Sequence, residues 1–510
     1  MNSLRQSDVI WPIYLAPLLL IYLTVPVSPD QALFDYIAWS HIHGDAYYLG
    51  VAEQNWPGKM FMHELGIRLF GANFWTFRSI DFVTLVLIAL SGAYLLSKAG
   101  LSVAARIFLY LYPVLYITAG EWMAGQRDIV AGGLLLVAAA LSLKPQSRFQ
   151  VVAAGVTVAI VVLMRPTYLS YLVGLLALLW IRFPNEPRRS ARLRLRTSLT
   201  LLIGFAGPIF VVFFVGFISG ALPDFFEQAI AFNIEVYQDA ASRSRLQWVL
   251  ADLLIKSWHW ITLCAALGSV AWLIGRRSTR ALILVLGIAA TAILSFYVQN
   301  KGFVYHLGGL LPVLTILVAA FLDLLVSARN GTSGFRRSVM SVMLFGFVAL
   351  CAAGSAKKIA SFAPNAFSIV TTGLSPIYTS PSQANWEDRK GIVHAIREGS
   401  TPDDFVLQWG RNFDIPYLAE RRSSLRFVST PALDTMGPSF SGHESWLEKV
   451  ELSLRTKPPA FAVLDSAILA GNEVVAPPNA SDAQRIMFRA LADYDIVLRT
   501  NHIVLLQAPQ

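Results

Sequence analysis

Long apolar runs separated by short polar segments dominate the first 355 residues of the chain. A membrane-spanning helix needs about 20 consecutive, mostly apolar residues. Runs that approach this length are centred on residues 10–27, 80–97, 105–120, 129–143, 150–164, 167–181, 199–220, 255–275, 281–298, 307–326 and 338–354. The pattern predicts a polytopic α-helical membrane protein with about eleven transmembrane helices. Only Arg165-Pro166-Thr167 joins the two runs within 150–181, which fits either a tight hairpin or a broken re-entrant element.

Two regions depart from this pattern. The loop 28–79 repeats apolar residues at helical spacing around Ala32–Ser40 and again over Phe61–Phe70, which predicts interfacial helices. From residue 356 to 510 no run is long enough to span a membrane, and short β-rich runs alternate with helical pattern. We therefore expect residues 1–355 to form a transmembrane domain with a long first outer loop, and residues 356–510 to form a small C-terminal α/β domain.

Charge placement orients the predicted helices. The chain is 55% hydrophobic and only 14% charged, whereas soluble chains carry about 25% charged residues. With a cytoplasmic N-terminus, every inner segment is basic, as the positive-inside rule requires. The inner basic residues are Arg5, Lys98, Arg106, Lys144, Arg148, a cluster from Arg182 to Arg196, Arg276, Arg277, Arg280, Arg329, Arg336 and Arg337. An odd number of crossings then places the C-terminal domain on the periplasmic side of a bacterial inner (plasma) membrane.

The net charge of +9 raises the question of a nucleic-acid partner. The cluster Arg188 to Arg196 is instead interpreted as a topology anchor that contacts anionic membrane lipids, so no nucleic acid is expected.

Acidic and aromatic residues gather in the loop 28–79. Carboxylates beside a membrane are costly unless they are solvated or paired. Each of them alone is compatible with an ordinary solvated acid, but the cluster indicates a functional cleft. Its members are Asp30, Asp35, Asp45 and Glu53, followed by Asn55, a Pro57-Gly58 turn and His63.

This loop resembles the first periplasmic loop of bacterial GT-C glycosyltransferases, polytopic enzymes that use polyprenyl-phosphate-linked sugars. The resemblance rests on Pro29-Asp30-Gln31, Phe34, Tyr36-Ile37, Gly44, Tyr48, Glu53, Asn55, Pro57-Gly58 and His63. In that pattern Asp30 takes the position of the catalytic aspartate and Glu53 that of a second acidic residue. Relatives often carry another aspartate after the tyrosine that is Tyr48 here, whereas this chain has Leu49-Gly50.

A second similarity to this family lies in the outer segment Gln299 to His306, which reads Gln-Asn-Lys-Gly-Phe-Val-Tyr-His. A lysine and a histidine at the outer membrane surface can bind an anionic phosphate group. Lys301 and His306 are therefore expected to hold the donor phosphate, with Tyr305 in the cleft. The competing interpretations are a snorkelling lysine and a packing histidine.

A third similarity is Gly125-Gln126-Arg127-Asp128, where relatives often show Gln-Arg-Glu. Arg127 either binds lipid phosphate or pairs with Asp128 or Glu121. Arg165 lies at a helix junction, where an arginine must be paired or reach water, and it is a further candidate phosphate ligand.

The resemblance implies an inverting glycosyltransferase with Asp30 as general base and Glu53 positioning the acceptor or sharing that role. Asp35, Asn55, His63 and Tyr305 would line the acceptor cleft. The partners implied are a polyprenyl-phosphate-linked sugar donor and a glycan, lipid or protein acceptor of the cell envelope. No cofactor is required; clustered acids are compatible with a divalent metal ion, but no feature demands one. The alternatives are an O-antigen ligase or polymerase, a transporter of lipid-linked sugars and a non-enzymatic scaffold.

Overall fold

The protein is described here from a computed structural model. The structure describes residues 7–143, 147–181, 190–239, 259–274, 278–299, 301, 303–330, 386–469 and 473–509, together with scattered positions between 334 and 360. The chain divides into two compact units. The first unit comprises Met1–Tyr22, Asp81–Phe213 and Ala241–Phe367, and the second comprises Leu23–Ile80, Phe214–Ala240 and Ser368–Gln510.

Helices account for the apolar runs of the sequence. Up to residue 218 they are α1 Ser7–Leu23, α2 Pro29–Ile42, α3 Gly58–Phe70, α4 Thr76–Lys98, α5 Ser102–Thr118, α6 Arg127–Leu143, α7 Arg148–Met164, α8 Leu169–Trp180 and α9 Ala191–Ile218. Further along they are α10 Leu222–Phe225, α11 Phe232–Asp239, α12 His259–Ile274, α13 Thr279–Gln299 and α14 Leu311–Asn330. A π-helical turn, Phe226–Ala231, connects α10 to α11, and 3₁₀ turns at Pro166–Tyr168 and Val304–Leu310 precede α8 and α14.

Ten of the eleven predicted spans overlap these helices. The eleventh, 338–354, lies mostly outside the described residues. Within the described part of the chain, four helical segments are long and apolar enough to cross a membrane: Thr76–Lys98, Ala191–Ile218, Thr279–Gln299 and Val304–Asn330. The junction at Arg165 proves to be a 3₁₀ turn between α7 and α8, and these two helices pack against each other.

The second unit is built around a five-stranded mixed sheet of order β2-β1-β3-β5-β4. Its strands are β1 Phe405–Trp409, β2 Arg422–Ser423, β3 Pro459–Asp465, β4 Asp495–Arg499 and β5 Ile503–Gln507. Strands β2, β1 and β3 run parallel, whereas β3, β5 and β4 are antiparallel. The helices of this region are α15 Trp386–Gly399, α16 Asp414–Ala419, α17 Pro431–Asp434, α18 His443–Thr456 and α19 Asp482–Ala490. The four strands expected from the sequence are confirmed, including the β4–β5 hairpin.

Strand alternation gives the sheet two apolar faces. Leu407, Trp409, Leu464 and Leu506 contribute to one core, and Val406, Val463, Ile503 and Leu505 contribute to the other, under α15 and α16. The predicted boundary between residues 355 and 356 stays a prediction, because residues 351–359 and 361–385 lie outside the described part of the chain.

The first outer loop packs within the same unit as the sheet. The Tyr36 hydroxyl accepts a hydrogen bond from the backbone N–H of Ser423 at 2.5 Å. The backbone N–H of Ala52 donates to the carbonyl of Arg426 at 2.7 Å. Loop helices α2 and α3, predicted from their spacing, are therefore held by contacts that come from the other end of the chain.

Candidate active site

Asp30 lies in the first turn of α2, directly after Pro29. Its side chain is half-buried. Proline at the first helical position suits a helix start, because its missing N–H would be unpaired there anyway. A carboxylate in the first turn also interacts favourably with the positive end of the helix dipole, which stabilises the helix. The sequence thus places a carboxylate at a defined helix end.

Five residues further along α2, Asp35 is buried and contacts His63 of α3. The Nδ1 atom of His63 lies 2.8 Å from Oδ1 of Asp35, and its Nε2 atom lies 3.1 Å from Oε1 of Gln31. The His63 ring stacks on Phe77 at 4.1 Å between centroids. Two of the four residues predicted to line the acceptor cleft, Asp35 and His63, are therefore interior residues that join α2 to α3.

Burial sets the protonation of this pair. Desolvation raises the pKa of Asp35 well above its ordinary value, and the cations Lys59 and Arg78 offset only part of that rise. Desolvation lowers the pKa of His63 well below its ordinary value, and Lys59 and Arg78 lower it further. Burial thus favours the uncharged forms of Asp35 and His63, which describes their 2.8 Å contact as a hydrogen bond of a neutral pair.

Between about pH 3.9 and 6.5, the ordinary pKa values of Asp and His, the two residues should change the free energy of unfolding with pH in opposite directions. In this window unfolding releases a proton from Asp35 and adds one to His63, so the two effects largely cancel. In Asp35→Asn only His63 remains, and stability should fall as pH falls, by about 1.4 kcal/mol per pH unit. In His63→Gln only Asp35 remains, and stability should fall as pH rises.

Urea or SDS unfolding of each variant across this pH range measures both slopes. His43→Gln is the control, since His43 lies in the same loop and its Nδ1 contacts the Trp39 carbonyl rather than a carboxylate. Slopes of the same sign in the two variants would contradict the neutral pair.

Glu53, the second acidic residue of the predicted site, is buried and hydrogen-bonded. Its Oε1 accepts the backbone N–H of Asn55 at 3.0 Å and also the Asn55 side-chain amide. Its backbone N–H donates to Oε1 of Gln228 at 2.9 Å. The Tyr48 hydroxyl donates to the carbonyl of Asn55 at 2.7 Å. The predicted residues Glu53 and Asn55 are thus in direct contact.

Two buried cations of the second unit were not predicted from the sequence. Lys59 is fully buried and its Nζ lies 4.3 Å from the centroid of the Phe77 ring. Arg78 is fully buried too. A cation within about 6 Å of an aromatic face is stabilised by it. Lys59 follows the Pro57-Gly58 turn directly, and that position was the only sequence signal for it.

In the first unit, Arg165 and Asp128 form a buried ion pair. The Nε of Arg165 lies 3.0 Å from both carboxylate oxygens of Asp128, and a terminal nitrogen lies 2.5 Å from Oδ2. Arg165 is 5% exposed and Asp128 is fully buried. Asp128, the residue considered as a partner of Arg127, therefore pairs with Arg165 instead. Whether Arg165 also binds phosphate stays a prediction.

The other predicted phosphate ligands, Arg127, Lys301 and His306, belong to the same unit as the Arg165–Asp128 pair. Arg165, Arg127 and Lys301 all act electrostatically on the ring of His306. His306 is 1% exposed and lies between Phe303 and Tyr305 with edge-on ring contacts. Its Nδ1 makes no hydrogen bond within the described residues. A buried ring nitrogen beside three cations is suited to a phosphate oxygen, because an anion is favoured there and supplies the missing bond.

Two glycines allow these segments to meet. A side chain on Gly132 of α6 would place its Cβ 2.5 Å from the backbone of Gly309, and a Cβ on Gly309 would lie 2.3 Å from the Tyr168 hydroxyl. The 3₁₀ turn that carries His306 therefore touches the backbone of α6, whose first residues are Arg127 and Asp128. This contact joins the turn that carries His306 to the helix that carries Arg127.

The carboxylates Asp30, Asp35 and Glu53 belong to the second unit, with Asn55 and His63, whereas Arg127, Arg165, Lys301, Tyr305 and His306 belong to the first. Among the described residues, no group of three or more His, Cys, Asp or Glu side chains could hold a metal ion.

No family model matches the sequence, and no curated protein matches it. The fold is similar to ArnT from Cupriavidus metallidurans bound to undecaprenyl phosphate, at 15% identity over 100% of both chains and a TM-score of 0.59. It is also similar to the apo state of that protein, at 15% identity over 100% of both chains and a TM-score of 0.56. At this identity the likeness establishes the fold alone. The chain therefore shares the fold of ArnT, in agreement with the polytopic helical fold expected from the sequence.

Proposed function

On the basis of this fold, we propose that the chain is a membrane glycosyltransferase that moves a sugar from a polyprenyl-phosphate donor to a glycan, lipid or protein acceptor of the cell envelope. The observation that carries the proposal is the cationic group around His306, in which Arg127, Arg165 and Lys301 act on one buried ring. The similar ArnT structure holds undecaprenyl phosphate, a lipid of this class. We place the chain in a bacterial inner membrane with eleven crossings, a cytoplasmic N-terminus and a periplasmic C-terminal region.

The reaction needs a base for the acceptor and cations for the leaving group. Asp30 takes the proton of the acceptor hydroxyl as its oxygen attacks the anomeric carbon. The bond from that carbon to the phosphate oxygen breaks, and polyprenyl phosphate leaves with the electron pair. The new bond forms on the opposite face of the sugar, so the configuration inverts. Glu53, held by Asn55, orients the acceptor.

Lys301 supplies positive charge for the departing phosphate, and the His306 ring supplies a hydrogen bond. The lipid phosphate gains negative charge as the glycosidic bond breaks, and the nearby cations lower the energy of that state. The buried Arg165–Asp128 pair joins the first turn of α6 to the junction between α7 and α8, and Gly132 of α6 approaches Gly309 in the 3₁₀ turn of His306. No metal ion is used in this scheme, and none is needed to balance it.

Undecaprenyl phosphate binding tests the proposal. Purified protein in nanodiscs should bind this lipid, and Lys301→Gln should weaken binding by about 10- to 100-fold, the value of one lost hydrogen bond to a charged group. His306→Gln should weaken it less, because a neutral donor remains. Lys390→Gln, on an exposed surface pair with Glu387, is the control and should bind normally.

A transfer assay with a small panel of polyprenyl-phosphate sugars then identifies the donor. Wild-type protein that binds undecaprenyl phosphate no better than a neutral polyprenol would contradict the proposal. Equal binding by Lys301→Gln and Lys390→Gln would remove Lys301 from the phosphate site.

A further inference from the structure

The segment between α1 and α2 leads directly into Asp30 and has few ways to satisfy its own backbone. Helix α1 ends at Leu23, and α2 begins at Pro29. Pro26 and Pro29 have no N–H, and Thr24, Val25 and Ser28 are buried. Buried carbonyl groups in such a segment must find donors elsewhere, since leaving one unpaired costs roughly 1–3 kcal/mol.

Arg78, in the first turn of α4, supplies those donors. Its Nε donates to the carbonyl of Val25 at 3.0 Å, and one terminal nitrogen donates to the carbonyl of Pro26. The guanidinium group is planar and presents its N–H groups as a fixed fork, so it can hold two consecutive carbonyls in one orientation. The side chain is fully buried, which excludes water as a substitute partner.

The path from Pro26 to Asp30 is short and stiff. Pro29 has a fixed φ angle. The Ser28 carbonyl accepts the backbone N–H groups of Gln31 and Ala32, both at 2.9 Å, which closes the first turn of α2. A displacement of the Pro26 carbonyl is therefore expected to displace Asp30 as well.

We propose that Arg78 is a positioning residue that fixes the location of the Asp30 carboxylate; this inference rests on the proposed function, in which Asp30 is the general base. A general base must lie within about 2.6–3.2 Å of the proton it removes. A displacement of about 1 Å costs about 100-fold in rate. Loss of the two Arg78 hydrogen bonds should thus lower kcat and leave substrate binding nearly unchanged.

A purely structural role for Arg78 predicts a different pattern. In that case a substitution would lower the yield of folded protein and change every kinetic parameter, whether or not Asp30 is present. Arg78→Lys is the suitable variant. Lysine keeps a cation close to Asp35 but cannot reproduce the planar pair of hydrogen bonds to the carbonyls of Val25 and Pro26.

A double-mutant cycle separates the two roles. Transfer is measured for wild type, Arg78→Lys, Asp30→Asn and the double variant, with Arg68→Lys as control because Arg68 is exposed on α3. We expect Arg78→Lys to lower kcat about 100-fold with KM within about threefold. In the Asp30→Asn background Arg78→Lys should lower kcat by less than about twofold. If Arg78 acts only through the Asp30 carboxylate, its replacement has no further effect once that carboxylate is gone.

The outcomes are distinguishable. An equal loss from Arg78→Lys in both backgrounds, or a loss under about threefold in wild type, would overturn the inference. Full activity in Asp30→Asn would instead overturn the assignment of the base in the proposed function. If Arg78→Lys does not fold, Pro29→Gly takes its place: loosening the link should cost about tenfold in kcat with Arg78 intact, and an unchanged kcat would overturn the inference.

Discussion

Replacing Asp30 with asparagine is expected to lower kcat for sugar transfer by about 1,000-fold, within the range of 10²–10⁴ that general bases contribute. Asparagine keeps the size of the side chain and its place in the first turn of α2, but it cannot accept the acceptor proton. Donor binding should change little, because the cations assigned to the phosphate belong to the other unit.

The measurement is single-turnover transfer by purified protein, with undecaprenyl phosphate binding followed in parallel. Asp482→Asn is the control, since Asp482 is 70% exposed on α19 and pairs with Arg485 of the same helix. Transfer by Asp30→Asn at a tenth of the wild-type rate or better would show that another group removes the proton. Glu53, which the family resemblance makes the second acid, would then be the residue to replace.

Replacing Asp128 with asparagine should destabilise the first unit by about 3–5 kcal/mol, because it leaves the buried guanidinium of Arg165 without its counter-charge. The Arg165–Asp128 contact involves three short donor–acceptor distances between almost fully buried groups. The double variant Asp128→Asn with Arg165→Gln should recover part of the loss, since two neutral amides can bond each other.

SDS or urea unfolding of detergent-solubilised protein measures this change. Glu420→Gln gives the contrast, since Glu420 and Arg397 form a pair whose side chains are 52% and 47% exposed. Pairs of that kind contribute about 0–1 kcal/mol. If Asp128→Asn lowers the free energy of unfolding by less than about 1 kcal/mol, Arg165 reaches water or another partner. The ion pair would then not be what holds α6 against the junction between α7 and α8.

Local pattern was enough to locate most helices and strands. Apolar run length predicted the segments that became α4, α9 and α13, and alternation predicted β1, β3, β4 and β5. The short elements were not predicted. Strand β2 has two residues and helix α17 has four, which is too few to show a hydrophobic period. Such elements form where tertiary contacts favour them rather than by intrinsic preference.

The candidate site was predictable in residue type but not in pairing. Family resemblance selected Asp30, Glu53, Lys301 and His306. No sequence pattern indicated that Asp35 would contact His63, which lies 28 residues further along the chain. Asp128 and Arg165 are 37 residues apart and appeared as neighbours of other groups. Buried pairs of this kind depend on which helices pack together, and hydrophobic period does not encode that choice.

The composition of the second unit has a consequence for biosynthesis. Its three parts, Leu23–Ile80, Phe214–Ala240 and Ser368–Gln510, leave the ribosome far apart in time. At about 5–20 residues per second, the first part waits roughly 15–60 s before the last part begins to emerge. During that interval Tyr36 lacks its partner Ser423, and the Glu227 carboxylate lacks the Trp446 indole N–H that it later accepts at 2.6 Å. The first outer loop therefore reaches its final contacts only after the C-terminal part has been synthesised.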